Sequence, residues 1–124
     1  MSKDINMLII EGVASSTPDI EEMQFGKTSR FFIKNKSKFG KNESELTIKI
    51  ESFDQVADYV FENVKEGDRV TAFGKLKYRQ WIKDGKQCFA FSVHASKVRI
   101  TNDKNEEDKD EQSYYFDSYA GEEA

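Results

Sequence analysis

The residues best suited to do something chemical lie in Lys75-Leu76-Lys77-Tyr78-Arg79-Gln80-Trp81-Ile82-Lys83. In an extended strand alternate side chains share a face, so Lys75, Lys77, Arg79, Trp81 and Lys83 point one way and Leu76, Tyr78, Gln80 and Ile82 the other. A cationic row with the only tryptophan at its end fits a polyanion that also carries flat rings, and single-stranded nucleic acid is the commonest such ligand. The competing reading is a solvated hairpin face whose Lys and Arg stems cover apolar surface beside a partly buried Trp. Periodicity alone weighs the two equally.

A second basic and aromatic stretch, Lys34-Asn35-Lys36-Ser37-Lys38-Phe39-Gly40-Lys41, places four lysines in eight residues around Phe39. It reads either as an exposed hairpin tip with lysines for solubility, or as a finger laying lysines along phosphates and Phe39 under a base. The repeated pairing of lysines with an aromatic favours the second. Little else competes for chemistry. Cys88 is the only cysteine and His94 the only histidine, so no internal disulfide and no His/Cys metal set is expected. Cys88 reads as a small core filler, and His94 as a surface or hydrogen-bonded structural residue. The acidic residues fall on turns and helix surface rather than in a catalytic cluster, so no cofactor, metal or enzymatic activity is expected.

These segments need a frame to hold them. The chain has 124 residues, one proline and seven glycines, enough for one domain with one core. No apolar run approaches a membrane span, so a cytoplasmic protein is expected. The net charge of −4 conceals an asymmetry: residues 101–124 carry nine acidic residues and two lysines, a net of −7, leaving +3 for the rest. That predicts a domain over residues 1–101 and a disordered, acidic, Tyr- and Phe-containing tail over 102–124, a candidate interaction segment.

In chain order, Asn6 to Ala14 reads as a first, largely buried strand, in which Gly12 signals a bulge or a close backbone approach. Ser15 to Asp19 is turn chemistry around Pro18, and Phe25-Gly26-Lys27 a further turn. Ser29 to Lys34 is a second strand, with Phe31 and Ile33 on one side and Arg30, Phe32 and Lys34 on the other. Leu46 to Ser52 is a third, with Leu46, Ile48 and Ile50 inward and Thr47, Lys49 and Glu51 outward. Ser52 and Gln55 form a capping-box pattern that predicts a helix start. Val56, Val60 and Val64 give the helix a buried stripe, and Gly67 is placed to end it in the left-handed conformation. Phe53, on the outward register of Lys49, is either a staple for the helix or a stacking platform. Arg69 to Lys83 and Gln87 to Ile100 are strands joined at Asp84-Gly85, the strongest hairpin signal present. On the last strand Phe89, Phe91, Val93 and Ala95 share one face, opposite Ala90, Ser92, His94 and Ser96.

Three strands, a helix, then two strands is the order of an all-β OB-fold, a five-stranded barrel with one helix between strands three and four. Here the residues resemble a family. Asn6, Gly12, Pro18-Asp19, Phe53 at the helix start, Lys65-Glu66-Gly67-Asp68 before a strand, Gly74-Lys75-Leu76, and Trp81 before a glycine turn resemble, in order and spacing, the bacterial single-stranded-DNA-binding proteins over roughly residues 4–100. The resemblance implies that Trp81 and Phe53 stack bases and that Phe39 lies in a loop carrying another stacking aromatic. It further implies a homotetramer, and replication and repair partners recruited by the acidic tail.

The chain departs from the family in three places. Thr47 stands where a tryptophan is common, the loop between the second and third strands is shorter, and the family's Gly- and Pro-rich linker and its terminal Pro-Phe tip are absent. The expected function is sequence-independent binding and protection of single-stranded DNA in replication, recombination and repair, at a nucleoid-associated location. Trp81, Phe53 and Phe39 would stack, while Lys34, Lys36, Lys38, Lys41, Lys49, Lys75, Lys77 and Arg79 follow phosphates. The alternative is an OB-fold accessory of replication restart, or an RNA-binding module, that mainly recruits partner proteins.

Overall fold

The computed structural model describes residues 3–102; the expected disorder of the tail falls on residues 103–124, outside the described residues. The elements are β1 (Leu8–Ala14), β2 (Asp19–Met23), β3 (Gly26–Phe39), β4 (Asn42–Phe53), α1 (Asp54–Asn63), β5 (Arg69–Lys83) and β6 (Lys86–Ile100). The sheet order is β1-β5-β6-β4-β3-β2, and a second pairing of β1 with β3 closes it. All pairs are antiparallel except β4 with β6, which run parallel over three residues from Lys49 to Glu51. The closed core holds Phe31, Ile33, Ile50, Val70, Ala72, Val93 and Val98, with Val60 and Val64 of the helix stripe packed on it. Burying a side chain of this size is worth about 1.5–3 kcal/mol, so the valine stripe is what fixes α1 to the barrel.

Closure depends on Gly12. There β1 crosses from β5 to β3, and a Cβ at this position would overlap the Lys34 carbonyl oxygen; the expected close approach is what the glycine permits. Ser15 and Ser16 then tie the crossing down. The Ser15 N–H donates to the Phe32 carbonyl (2.8 Å), and the Ser16 hydroxyl accepts the Phe32 N–H (3.0 Å). Asp84 and Gly85, with φ of 53° and 76°, make the tight turn between β5 and β6 that the dipeptide predicts.

Several expectations need correction. There are six strands rather than five, because Asp19–Met23 pairs with β3 as an edge strand. Its acidic residues gave no apolar alternation to read, and charge on an exposed edge is how natural sheets discourage further pairing. Asp19 accordingly starts β2, and its carboxylate accepts the Arg30 backbone N–H at 3.1 Å. The capping box does not form: Ser52 is buried in β4 opposite Ser29, and Phe53 takes the N-cap position without a side-chain hydrogen bond. The strand pairing runs one residue further than the box allows. Gly67 does have a positive φ of 94°, yet the helix ends earlier, at an extended Val64. The glycine serves the turn into β5, its N–H donating to the Ala14 carbonyl at 2.8 Å.

β3, β4, β5 and β6 have 14, 12, 15 and 15 residues, so the two hairpins run beyond the barrel as two-stranded arms. Leu46, expected inward, is 47% exposed because it lies on the first arm. Phe89 and Phe91 keep the register of Val93 but are exposed for the same reason. Cys88, expected as core filler, is half-buried on the second arm opposite Trp81.

Candidate nucleic-acid interface

The sheet register assembles the site. One row across the outer face runs Phe32 (β3), Lys49 (β4), Ser92 (β6), Lys77 (β5), and the next runs Arg30, Glu51, His94, Lys75. Opposite residues on paired strands share a face, so these eight side chains share one surface. Continuing along β5 on that face come Arg79, opposite Ala90, and Trp81, opposite Cys88. Continuing along β4 comes Phe53, whose ring meets His94 edge-on at a centroid distance of 4.3 Å. Lys34, Lys36 and Lys38 extend the face along β3 onto the first arm.

Phe53 and Trp81 leave 39% and 37% of their surfaces exposed, enough ring for a base to cover. The Arg79 guanidinium lies 5.0 Å from the Trp81 ring centre, a cation–π contact that steadies the indole and occupies part of it. These partly buried rings are held by strand register and by the neighbouring side chains they touch. Asn6 adds a local brace. Its side chain accepts the Leu76 N–H and donates to the Leu76 carbonyl, both at 2.9 Å. This replaces a strand bridge just past the irregularity at Phe73 and Gly74.

The lysines are not equivalent. Lys36 and Lys38 face Glu45 and Glu43 across the hairpin, and Lys34 lies 4.0 Å from Glu45. Lys49 lies 3.7 Å from Glu51. By contrast Lys75, Lys77 and Arg79 face His94, Ser92 and Ala90. The β5 cations therefore carry the stronger unopposed field. Phe39 and Lys41 sit apart from the rest. Lys41 is in the turn at the end of the first arm, and Phe39, 88% exposed, has the register of Leu46 on the opposite face to the lysines.

Two residues on this face were not singled out from the sequence. Phe32 is exposed at the head of the Lys49 row; the alternation had already set it with Arg30 and Lys34, which was the available signal. His94 occupies the middle of the second row, and nothing in its sequence neighbourhood marks it. Burial, chiefly, and the Lys77 and Lys75 ammonium groups hold its imidazole below the usual range, with Glu51 acting the other way. Among the described residues no group of three His, Cys, Asp or Glu side chains could hold a metal ion, and no helix is long and apolar enough to cross a membrane.

The model of the single-strand binding protein family matches residues 5–101. The chain belongs to that family. No curated protein matches it significantly. Among solved structures it is similar to the small single-stranded DNA-binding protein of Streptomyces coelicolor, with 17% identity, a TM-score of 0.72, and coverage of 83% of this chain and 100% of that one. It is also similar to the Plasmodium falciparum SSB in complex with ssDNA, with 19% identity, a TM-score of 0.74, and coverage of 82% and 98%. At such identities the two structures speak for the fold, and the OB-fold expectation holds. A single-strand binding family member with Thr47 between Lys34 and the outer edge of β4 has a hydroxyl and a methyl there, where a ring would make another platform.

Proposed function

We propose that this protein binds single-stranded DNA without sequence preference, and so covers and protects exposed strands in replication, recombination and repair. The observation that carries the reading is the single outer face on which Phe53, Trp81, Lys49, Lys75, Lys77 and Arg79 converge by register. Family membership over residues 5–101 and the DNA complex of the Plasmodium relative support it. Phe53 and Trp81 stack on bases, Phe32 offers a third ring, and the β5 cations follow the phosphates. Lys34, Lys36 and Lys38 add a weaker electrostatic track along the first arm. Phe39 and Lys41, at its end, meet the strand only where it wraps past the arm. Every base has a π-face and every phosphate the same charge, so such a surface discriminates little among sequences. It performs binding without bond-making.

Assembly belongs to the same proposal. The opposite face of the second arm exposes Leu76, Tyr78, Ile82, Phe89 and Phe91, with the Tyr78 ring tilted against both phenylalanines at centroid distances of 5.9 and 5.1 Å. An apolar patch of this kind suits a second copy of the chain, in line with a homotetramer. Its location would be cytoplasmic, on the nucleoid. Residues 102–124, acidic with Tyr114, Tyr115, Phe116 and Tyr119, are proposed to recruit replication and repair proteins. The test of the binding reading is emission from the single tryptophan titrated with oligo(dT), duplex DNA and RNA. Strong quenching by oligo(dT) and little by duplex is expected; an emission that oligo(dT) leaves unchanged, with no binding by anisotropy, would refute it.

A further inference from the structure

The middle of the outer face holds a cleft of about 490 Å³, lined among others by Asn6, Phe53, Lys75, Lys77, His94 and Ser96. That is within the range of sites that take a small organic ligand, and one nucleotide is such a group. Phe53 and His94 share one wall, in edge-on contact. Lys75 stands opposite His94 in the sheet register, and Lys77 one step further on. Neither ring nitrogen of His94 is engaged in a hydrogen bond with another described residue, so the imidazole has a donor and an acceptor to offer to whatever enters.

We propose that His94 is a proton-coupled phosphate contact: as a strand enters this cleft the imidazole takes up a proton from solvent and donates from a ring nitrogen to a phosphate oxygen. The inference rests on the single-stranded-DNA reading and adds a regulating variable to it. The ionisable groups facing His94 are few. From β5 come Lys75 and Lys77, and from β4 comes Glu51, itself 3.7 Å from Lys49. The N-terminal segment lines the cleft with Asn6, Met7 and Leu8, none of which titrates. In the free protein, burial and the two ammonium groups disfavour the imidazolium and favour the neutral ring. A bound phosphate reverses the balance, because it neutralises Lys75 and Lys77 and adds a negative charge beside the ring. The histidine pKa is then higher with DNA than without. By linkage, affinity rises as pH falls through the bound-state value and levels off below the free-state value, by about tenfold for each unit between them.

Oligo(dT) is the right probe, since thymine has no group that titrates near neutrality. Its affinity for the full chain, followed by anisotropy at constant ionic strength from pH 8 to pH 5.5, should tighten several-fold for the wild type and stay nearly flat for His94→Gln. Since His94 is the only histidine, its ring protons give one resolved NMR titration. Its midpoint in the wild type should move upward on saturation with oligo(dT). Equal pH profiles for the two proteins, or a midpoint that DNA leaves in place or lowers, would overturn the proposal while leaving DNA binding intact. If oligo(dT) fails to bind even at pH 5.5, the DNA reading falls, and this inference with it.

Discussion

Replacing Trp81 with alanine tests the site at the ring that ends the cationic row of β5. Base stacking on an aromatic side chain is worth about 1–3 kcal/mol. Arg79 already lies over the Trp81 ring at 5.0 Å in the free protein, and a base stacking on the other side of the indole leaves this contact in place. It therefore drops out of the difference, and the loss on substitution is that of one base stack, about 2 kcal/mol, or a roughly thirtyfold rise in Kd. Stability should hardly change, since Trp81 sits on an arm opposite Cys88 and outside the barrel core. The assay is anisotropy of a labelled oligo(dT), because the variant has lost its fluorophore, beside a thermal melt of each protein. Phe53→Leu keeps the apolar bulk and removes the ring, and should cost a similar amount. His94, against which Phe53 packs, and Cys88, opposite Trp81, are six residues apart on β6. At about 3.3 Å per residue that is about 20 Å, so the two losses should add in the double variant. A change under threefold for Trp81→Ala in a normally melting protein would show the ring to be only a cover for the arm. Marked non-additivity would refute the picture of two separate platforms.

The β5 lysines should dominate the salt dependence. Each lost phosphate contact lowers the slope of log K against log salt by about 0.7, so Lys75→Gln with Lys77→Gln should flatten it by about 1.4, and Lys36→Gln with Lys38→Gln by less, their Glu partners having already offset them; titration at four salt concentrations decides. Removal of the acidic tail should strengthen DNA binding most at low salt, where a −7 segment best competes for the cationic face, and should leave the melting temperature in place. The cut belongs after Asn102, whose side chain accepts the Arg69 N–H (2.7 Å) and donates to Asp68 (2.9 Å); weaker DNA binding or an earlier melt would mean the tail packs on the domain. Asp68 predicts an acid sensitivity. Hydrogen bonds from Asn102 and from the Lys65 N–H hold its carboxyl below the usual range, so its stabilisation is complete above the unfolded-state value and is lost as pH falls through the folded one. Asp68→Asn should melt earlier than wild type at pH 7, with the gap closing towards pH 2; a gap independent of pH would exclude this role.

What could be read from the sequence was whatever follows from period and punctuation. The alternation of Lys75 to Lys83 placed all its cations and Trp81 on one side, and the register keeps them there. Asp84-Gly85 fixed the β5–β6 hairpin, and the valine stripe found the face that α1 buries. Alternation, however, says which side a residue takes and not how far the barrel extends under it. Leu46, Phe89 and Phe91 have the pattern of core residues, yet they lie where the hairpins have outrun the core. Asp19–Met23 was missed for the converse reason: an edge strand facing solvent has no apolar period. The place of His94 depends on a parallel contact between β4 and β6, strands more than forty residues apart in sequence, and no local rule reaches that far. The same contact makes the Glu51–His94–Lys75 row, so the centre of the candidate site was the part least open to local reading.

The unbroken run of β5 and β6 from barrel into arm makes the protein a ruler. A hinge between the two would need a break in the ladder. Apart from the irregularity at Phe73 and Gly74, which lies on the barrel side of Lys75, the pairing continues residue by residue to the turn. The interval between the Phe53–His94 cleft and Trp81 is therefore set by hydrogen-bonded backbone rather than by a flexible loop. A strand engaging both must shape itself to that interval, bunching or stretching its own backbone between two fixed stops. Nucleic acid is the compliant partner here. On that account a stiff, self-stacked strand such as oligo(dA) should meet the surface at a disadvantage relative to a supple one such as oligo(dT), without any base being read.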